Sequence, residues 1–402
     1  MDRPEVRVVM SGNFATPHRL LGLLDQALPS YRLFMLNAQP LLPDREGVIH
    51  ETPFIGPGMR GAEGRLDYLP MRLSLVPQLF ERSRPPDVVV VHTSLPVDGR
   101  VSLGIEVNIL PAAIEYVRGH GGVVVAQLNP RMPYTYGDGE IAVDDIDLAL
   151  EAEEELSCPA GRPLSDTAAL IGEQVADLVE DGSTLQLGIG AVPDATLTAL
   201  GGRRGLGLWS EMFSDGVLTL ERQGALDDTR PLVASFLFGT SELYGWVHEN
   251  PRVRMLRTEK TNDPSMICRQ PAMTSINTAL QVDLFAQANA SYVGGRVYSG
   301  FGGQSDFTVG AMHAKGGRAV IALPSWHAKT ATSTIVPALA TPVTSFQHSA
   351  IISEHGRAHI FGRSQRAQRQ LLIDQVAHPD ARDELREAAA RTLPGSAGGG
   401  PA

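Results

Sequence analysis

Short, nearly unbroken apolar runs that stop at small or acidic turns recur through this chain, and they constrain its fold more than any other feature. Val6–Met10 runs into Ser11-Gly12-Asn13, Asp87–Val91 follows Pro85-Pro86, Val123–Gln127 follows Gly119–Gly122, and Ser183–Leu187 runs into Gly188-Ile189-Gly190. Runs without polar alternation fit strands buried on both faces, as in parallel sheets covered by helices. Helical periodicity fills the intervals: Thr16-Pro17 opens one helix through Leu24, and Glu106–Arg118 separates two of the runs as a β-α-β crossover would. Further strands are expected at Tyr31–Leu36, Leu232–Leu237, Arg296–Ser299, Ala319–Leu323 and Ala350–Ile352, and further helices at Asp166–Glu180, Ser364–Val376 and Asp380–Arg391. The stretch Gln39–Gly64 is too punctuated by Pro and Gly for regular structure, and the acidic segment Val143–Glu155 reads as a solvated helix face.

The fold class is therefore α/β. With 402 residues the chain is long enough for two buried cores, and the Cys158–Pro163 stretch reads as a linker. We expect one open α/β domain over residues 1–160, a second over 161–392, and a disordered tail over 393–402. Forty-five acidic against 34 basic side chains, with no basic stripe, argue against a nucleic-acid partner. No apolar run approaches the roughly 18 residues a membrane span needs, and Met1-Asp2-Arg3-Pro4 does not begin a signal peptide, so a cytoplasmic location and no membrane partner are expected. Cys158 and Cys268 suggest neither a disulfide framework nor a metal pair.

The chemistry concentrates between Asp181 and Gly216. Glu211 stands at the carboxyl end of an expected strand through Ser210-Glu211-Met212, among Leu208, Trp209, Met212 and Phe213. A carboxylate so placed is desolvated, and serves either as a structural ion pair or as a reactive group. Beside it the Gly188-Ile189-Gly190 turn leads into a helix opened by Pro193, a source of free N–H groups that suits an oxyanion. The turn lacks the third glycine of a dinucleotide fingerprint. His355 and His359 are spaced as metal ligands on a helix face would be, but Gly356 interrupts them and no third ligand is signalled, so no metal is expected. Ser325 reads as a turn residue without a nucleophile elbow, and Asn277 alone as a helix cap.

Four motifs in order, LQLGIGAVPDA, SEMFSDG, SGFGGQSDF and AHPDARDEL, make the chain resemble the acetyl-CoA hydrolase/transferase family, whose members include 4-hydroxybutyrate CoA-transferases. The resemblance covers nearly the whole chain and is strongest from Asp181 to Leu385. It implies two related CoA-transferase domains with the active site in the cleft between them. It makes Glu211 the catalytic nucleophile of a ping-pong exchange through a glutamyl-CoA thioester, moving CoA from a short-chain acyl-CoA to a carboxylate. It assigns CoA or substrate contacts to Gly188, Ile189, Gly190, Ala191, Val192, Leu280, Gly302, Gly303 and Ser325, and places Asn277 along the CoA channel. No metal or redox cofactor is implied, CoA being a substrate, and a homodimer or higher homo-oligomer is expected. An acyl-CoA hydrolase and a non-catalytic CoA-binding homologue are the rival readings, although the latter has no use for Glu211.

Two departures bear on substrate choice. Trp209 replaces the family's usual histidine, and Trp326-His327 replace small residues. If one strand carries both Trp209 and Glu211, their side chains share a face and the indole walls the acyl pocket. If the strand bends at Glu211, the indole belongs to the core.

Overall fold

A computed structural model describes residues 5–62, 64–158, 164–341, 343 and 347–391. The expected linker and domain boundary near residue 160 and the expected tail lie outside the described residues, apart from Cys158, which is exposed.

Two mostly parallel sheets organise the chain. The first has seven strands in the spatial order Leu148–Glu151, Val123–Leu128, Val88–Thr93, Val6–Met10, Tyr31–Phe34, Val48–Thr52 and Leu66–Tyr68, every neighbour parallel. Val8, Val9, Val89 and Val90 are fully buried, which is why these strands read as continuous apolar runs. The crossover helix Leu110–His120 has Pro near its start and ends at Gly121, whose φ of 73° closes the last turn.

The second sheet has eleven strands. Its main path runs Gly356–His359, Ala350–Ser353, Arg318–Ala322, Thr274–Thr278, Thr184–Leu187, Gly207–Trp209, Leu232–Ala234, Val253–Met255 and Tyr136–Gly137. Tyr136 and Gly137 come from the first half of the sequence, so the halves interlock through a sheet edge. One apolar cluster, including Val9, Val91, Leu185, Phe213 and Val320, spans both sheets. Each such side chain removed from water contributes about 1.5 to 3 kcal/mol. Among the described residues no helix is long and apolar enough to cross a membrane.

Two expectations are corrected. The Gln39–Gly64 excursion contains the parallel strand Val48–Thr52, disguised in sequence by His50 and Glu51. Glu51 is tolerated at 0% exposure because Arg7 and Arg32 hold it from neighbouring strands and Arg84 also pairs with it. The acidic segment is not a helix face: Leu148–Glu151 is an edge strand, and edge position leaves its side chains in solvent.

Candidate active site

The Gly207–Trp209 strand stops two residues before Glu211, and a separate strand, Met212–Phe213, pairs antiparallel with Leu187 and parallel with Phe236–Leu237. Glu211 thus occupies the break between strands rather than a strand's end. Its backbone is pinned there, because its carbonyl accepts from the N–H groups of Ser235 at 2.8 Å and Phe236 at 3.1 Å. Its side chain meets neutral donors: Asn262 Nδ2 donates to Oε2 at 2.9 Å, and the Gly303 N–H also bonds the carboxyl. No lysine or arginine bridges it among the described residues, so the structural ion pair finds no partner. Burial pushes the carboxyl up to about 7, and the nearby charge of Asp306 pushes the same way against the bonds from Asn262 and Gly303.

Asp306 is fully buried, and burial raises it to about 6. Ser74, from the first half of the chain, holds it through its hydroxyl at 2.8 Å and its N–H at 3.2 Å. Asn262 bonds both carboxyls, so Glu211, Asn262 and Asp306 form one hydrogen-bonded unit, which Ser74 ties to the first half of the chain. This gives a pH prediction. If Glu211 is the nucleophile that the resemblance implies, it is competent only when ionised, so kcat/KM should rise with pH through about 7. Asp306→Asn removes a like charge and should move that limb to lower pH, read from kcat/KM between pH 5 and 9. An unmoved limb, or one moved upward, would remove Asp306 from the account.

Glu211 opens on a cavity of about 390 Å³ lined by both halves of the chain. From the second half come Gly188, Ile189, Leu280, Gly302 and Gly303, all expected from sequence, with Asn277 on the Thr274–Thr278 strand rather than at a helix cap. Gly190, Ala191 and Val192 do not line it. The helix Ala191–Ala199 begins two residues before Pro193, Gly190 caps it, and Val192 turns into the core. Ser325 is also elsewhere, fully buried and bonded through its hydroxyl and N–H to Glu354. No hydrogen bond within the described protein occupies the Gly188 and Ile189 N–H groups beside the cavity.

From the first half come Asn13, Asn37 and Asn108, which sequence reasoning passed over. All three have left-handed φ, at 42°, 44° and 33°. Asparagine is among the few residues that adopt this readily, and Asn13 and Asn37 each stand three residues past the end of a strand; that coincidence was the available signal. Asn262 gave no comparable signal, since its role depends on a distant strand break.

Trp209 does not face the cavity. Because the strand ends at Trp209, the two-residue period does not carry through to Glu211. The indole instead packs on the cluster of Ile267, Met273 and Phe307 and donates to the Thr261 carbonyl at 3.0 Å. Trp209→His should therefore cost about 2 to 4 kcal/mol of stability, as large-to-small interior changes do, with little change in the kcat/KM ratio between two- and four-carbon acyl-CoAs. A changed ratio at unchanged melting temperature would restore the pocket-wall reading. Trp326 packs on a different cluster, its ring 4.5 Å from that of His378. His355 lies in a turn and His359 on a hairpin strand rather than on a helix, and no metal-like group of three His, Cys, Asp or Glu converges among the described residues.

Comparison with known proteins bears on this geometry. The model for the acetyl-CoA hydrolase/transferase N-terminal domain matches residues 36–158 and that for the C-terminal domain residues 239–389, with Glu211 in the interval between them. The 4-hydroxybutyrate coenzyme A transferase of Clostridium kluyveri is 39% identical over 350 residues, covering 84% of this chain and 80% of that protein. The succinyl-CoA:acetate/propanoyl-CoA:succinate CoA transferase of Fasciola hepatica is 36% identical over 407 residues, covering 95% and 84%. The crystal structure of RipA from Yersinia pestis superposes with a TM-score of 0.90 at 27% identity, covering 96% of this chain and 94% of that one.

Proposed function

The chain belongs to the acetyl-CoA hydrolase/transferase family, and from that premise we propose that it transfers CoA from a short-chain acyl-CoA to a carboxylic acid through a thioester on Glu211. The observation that carries this reading is Glu211 itself, a carboxyl in a strand break, held by two neutral donors and open to a cavity between the halves.

An oxygen of Glu211 attacks the thioester carbonyl, and the tetrahedral oxyanion collapses with C–S cleavage to a mixed anhydride and CoA thiolate. The thiolate attacks the Glu211 side-chain carbonyl and the first acid leaves as its carboxylate. A second carboxylate attacks the resulting thioester, forming a new anhydride and freeing the thiolate again. Thiolate attack on the new acyl carbonyl yields the product acyl-CoA and returns Glu211 as a carboxylate. Every step is acyl transfer between oxygen and sulfur, so no proton must be moved and neither a metal nor a redox cofactor is called for.

Two sets of donors serve the oxyanions. Asn262 and Gly303, already on the Glu211 carboxyl, are placed for an oxyanion at the Glu211 carbonyl, with Asn262 inside the effective 2.7 to 3.1 Å range. The free Gly188 and Ile189 N–H groups suit the oxyanion formed on the substrate carbonyl. Transfer is favoured over hydrolysis because, among the described residues, no histidine, lysine or second carboxylate lines the cavity to activate water. Incubation with acyl-CoA and no acceptor decides between them: a transferase stops at the enzyme thioester, whereas a hydrolase releases free CoA continuously.

A further inference from the structure

We propose that Glu106 is a positioning residue for the acid-binding end of the cavity, holding Asn13 and through it Asn37 so that their amides face the acyl group. This rests on the transfer reaction above. The cavity has distinct ends. Ile189, Leu280 and Tyr298 are 44%, 37% and 44% exposed, which suits entry of a long CoA arm, whereas Asn13 and Asn108 are 3% and 1% exposed. A thioester carbonyl at Glu211 with its CoA arm toward the open side directs its acyl group at the buried asparagines.

Glu106 stands directly behind them. It is 2% exposed, and its Oε1 accepts from Asn13 Nδ2 at 3.1 Å, while Asn13 Oδ1 accepts from Asn37 Nδ2 at 3.0 Å. Both ends of the Asn13 amide are thus committed, and Glu106 anchors the chain. The groups that face Glu106 are Gly12 and Asn13 after the first strand, Asn108 beside it, and Phe236, whose backbone pairs with its own. None of these titrates, and no charged side chain contributes to its ionisation among the described residues. Asn108 Oδ1 is buried without a hydrogen-bond partner. The Gly12 N–H and the Asn13 and Asn108 side chains bond the Glu106 carboxyl and favour its charged form, but burial outweighs them. Burial accordingly pushes this carboxyl up to about 8.

The consequence concerns charge. The incoming acid is an anion that must approach an end of the cavity at which no cation lines it among the described residues. With Glu106 neutral, that end offers amide dipoles only; with Glu106 ionised, it opposes every carboxylate. The arrangement therefore suits monocarboxylic acids whose chain is uncharged, and disfavours a second carboxylate on the chain.

The acceptor half-reaction isolates this effect, because Glu211 is then a neutral thioester, and Asp306, raised only to about 6, is ionised across the range tested. The full-length wild type, Glu106→Gln and Glu106→Ala are charged with acyl-CoA, the Glu211 adduct is quantified by peptide mass, and acceptor KM is measured from pH 7 to 9.5 for acetate and for a dicarboxylate. Wild-type KM should rise at least about fivefold as pH passes about 8, since one added like charge about 4 Å away costs about 1 kcal/mol even in bulk water and more in a drier site. Glu106→Gln, which keeps a neutral acceptor for Asn13, should give a flat profile near the wild-type low-pH value. Glu106→Ala should raise KM several-fold at every pH while still forming the adduct. Adduct formation in all three proteins with Glu106→Gln as pH-dependent as wild type overturns the role of Glu106. Absence of the adduct from wild type overturns the transfer reading beneath it.

Discussion

Glu211→Ala should lose CoA transfer by on the order of 10⁴- to 10⁶-fold in kcat, the scale on which removal of a covalent nucleophile acts, and should bind acyl-CoA with little change. The loss is expected to be this large because, among the described residues, no other carboxyl, thiol or imidazole lines the cavity to replace the carboxylate. Folding should survive, since Glu211 is fixed by its backbone through Ser235 and Phe236 and its side chain makes no ion pair among the described residues. Steady-state turnover with a melting curve on the same preparation checks both halves of this expectation, and turnover within tenfold of wild type would end the nucleophilic role of Glu211.

Gly303→Ala should be nearly as damaging, although it adds only a methyl group. A Cβ at this position would lie 1.9 Å from Glu211 Oε2 and 2.3 Å from Asn262 Nδ2, so the carboxyl and its donor must both move. The φ of Gly303 is −91°, a value any residue adopts, so the backbone carries no strain from the change. The cost therefore falls on the position of the nucleophile, where misplacement by about an ångström costs roughly 10²-fold or more in rate. Gly190→Ala is the matching control. There φ is 136°, and the nearest atom to a new Cβ is Pro193 Cδ at 4.0 Å. That substitution should cost about 1 to 3 kcal/mol of stability from backbone strain and leave kcat close to wild type. Measured kcat and melting temperature should separate the two glycines; a Gly303→Ala enzyme with normal kcat would contradict the placement of the Glu211 carboxyl.

The contrast between these glycines shows what sequence could and could not say about the site. Both stand in glycine turns after a strand, and both are expected from sequence to touch the ligand. Only the path of the chain in space distinguishes Gly303, folded against Glu211, from Gly190, which caps a helix beside the cavity. The strands Val6–Met10, Val88–Thr93 and Val123–Leu128 of the first sheet were legible because valine-rich apolar runs leave a one-dimensional trace. Val48–Thr52 was not, because its buried glutamate is satisfied by arginines from other strands, and such pairing leaves no local pattern. Glu211 was legible from its apolar neighbours and the motif around it. The strand break that orients it was not, and the expectation for Trp209 failed for that reason: alternation along a strand predicts a shared face only while the strand continues. The asparagines of the first half stand apart. Each is a loop residue in sequence and becomes part of a site only because the fold brings it to a cavity that the opposite half also lines.

The central claim is that Glu211 carries CoA covalently. The direct measurement is peptide mass analysis of the enzyme after incubation with acyl-CoA in the absence of acceptor acid, with borohydride reduction or hydroxylamine to trap the thioester. The account predicts that the peptide containing Ser210-Glu211-Met212 bears the modification at Glu211, that the label disappears when a carboxylate acceptor is added, and that Glu211→Ala shows none. An unmodified Glu211 peptide from an enzyme that is turning over, or the same label on another residue, would contradict it.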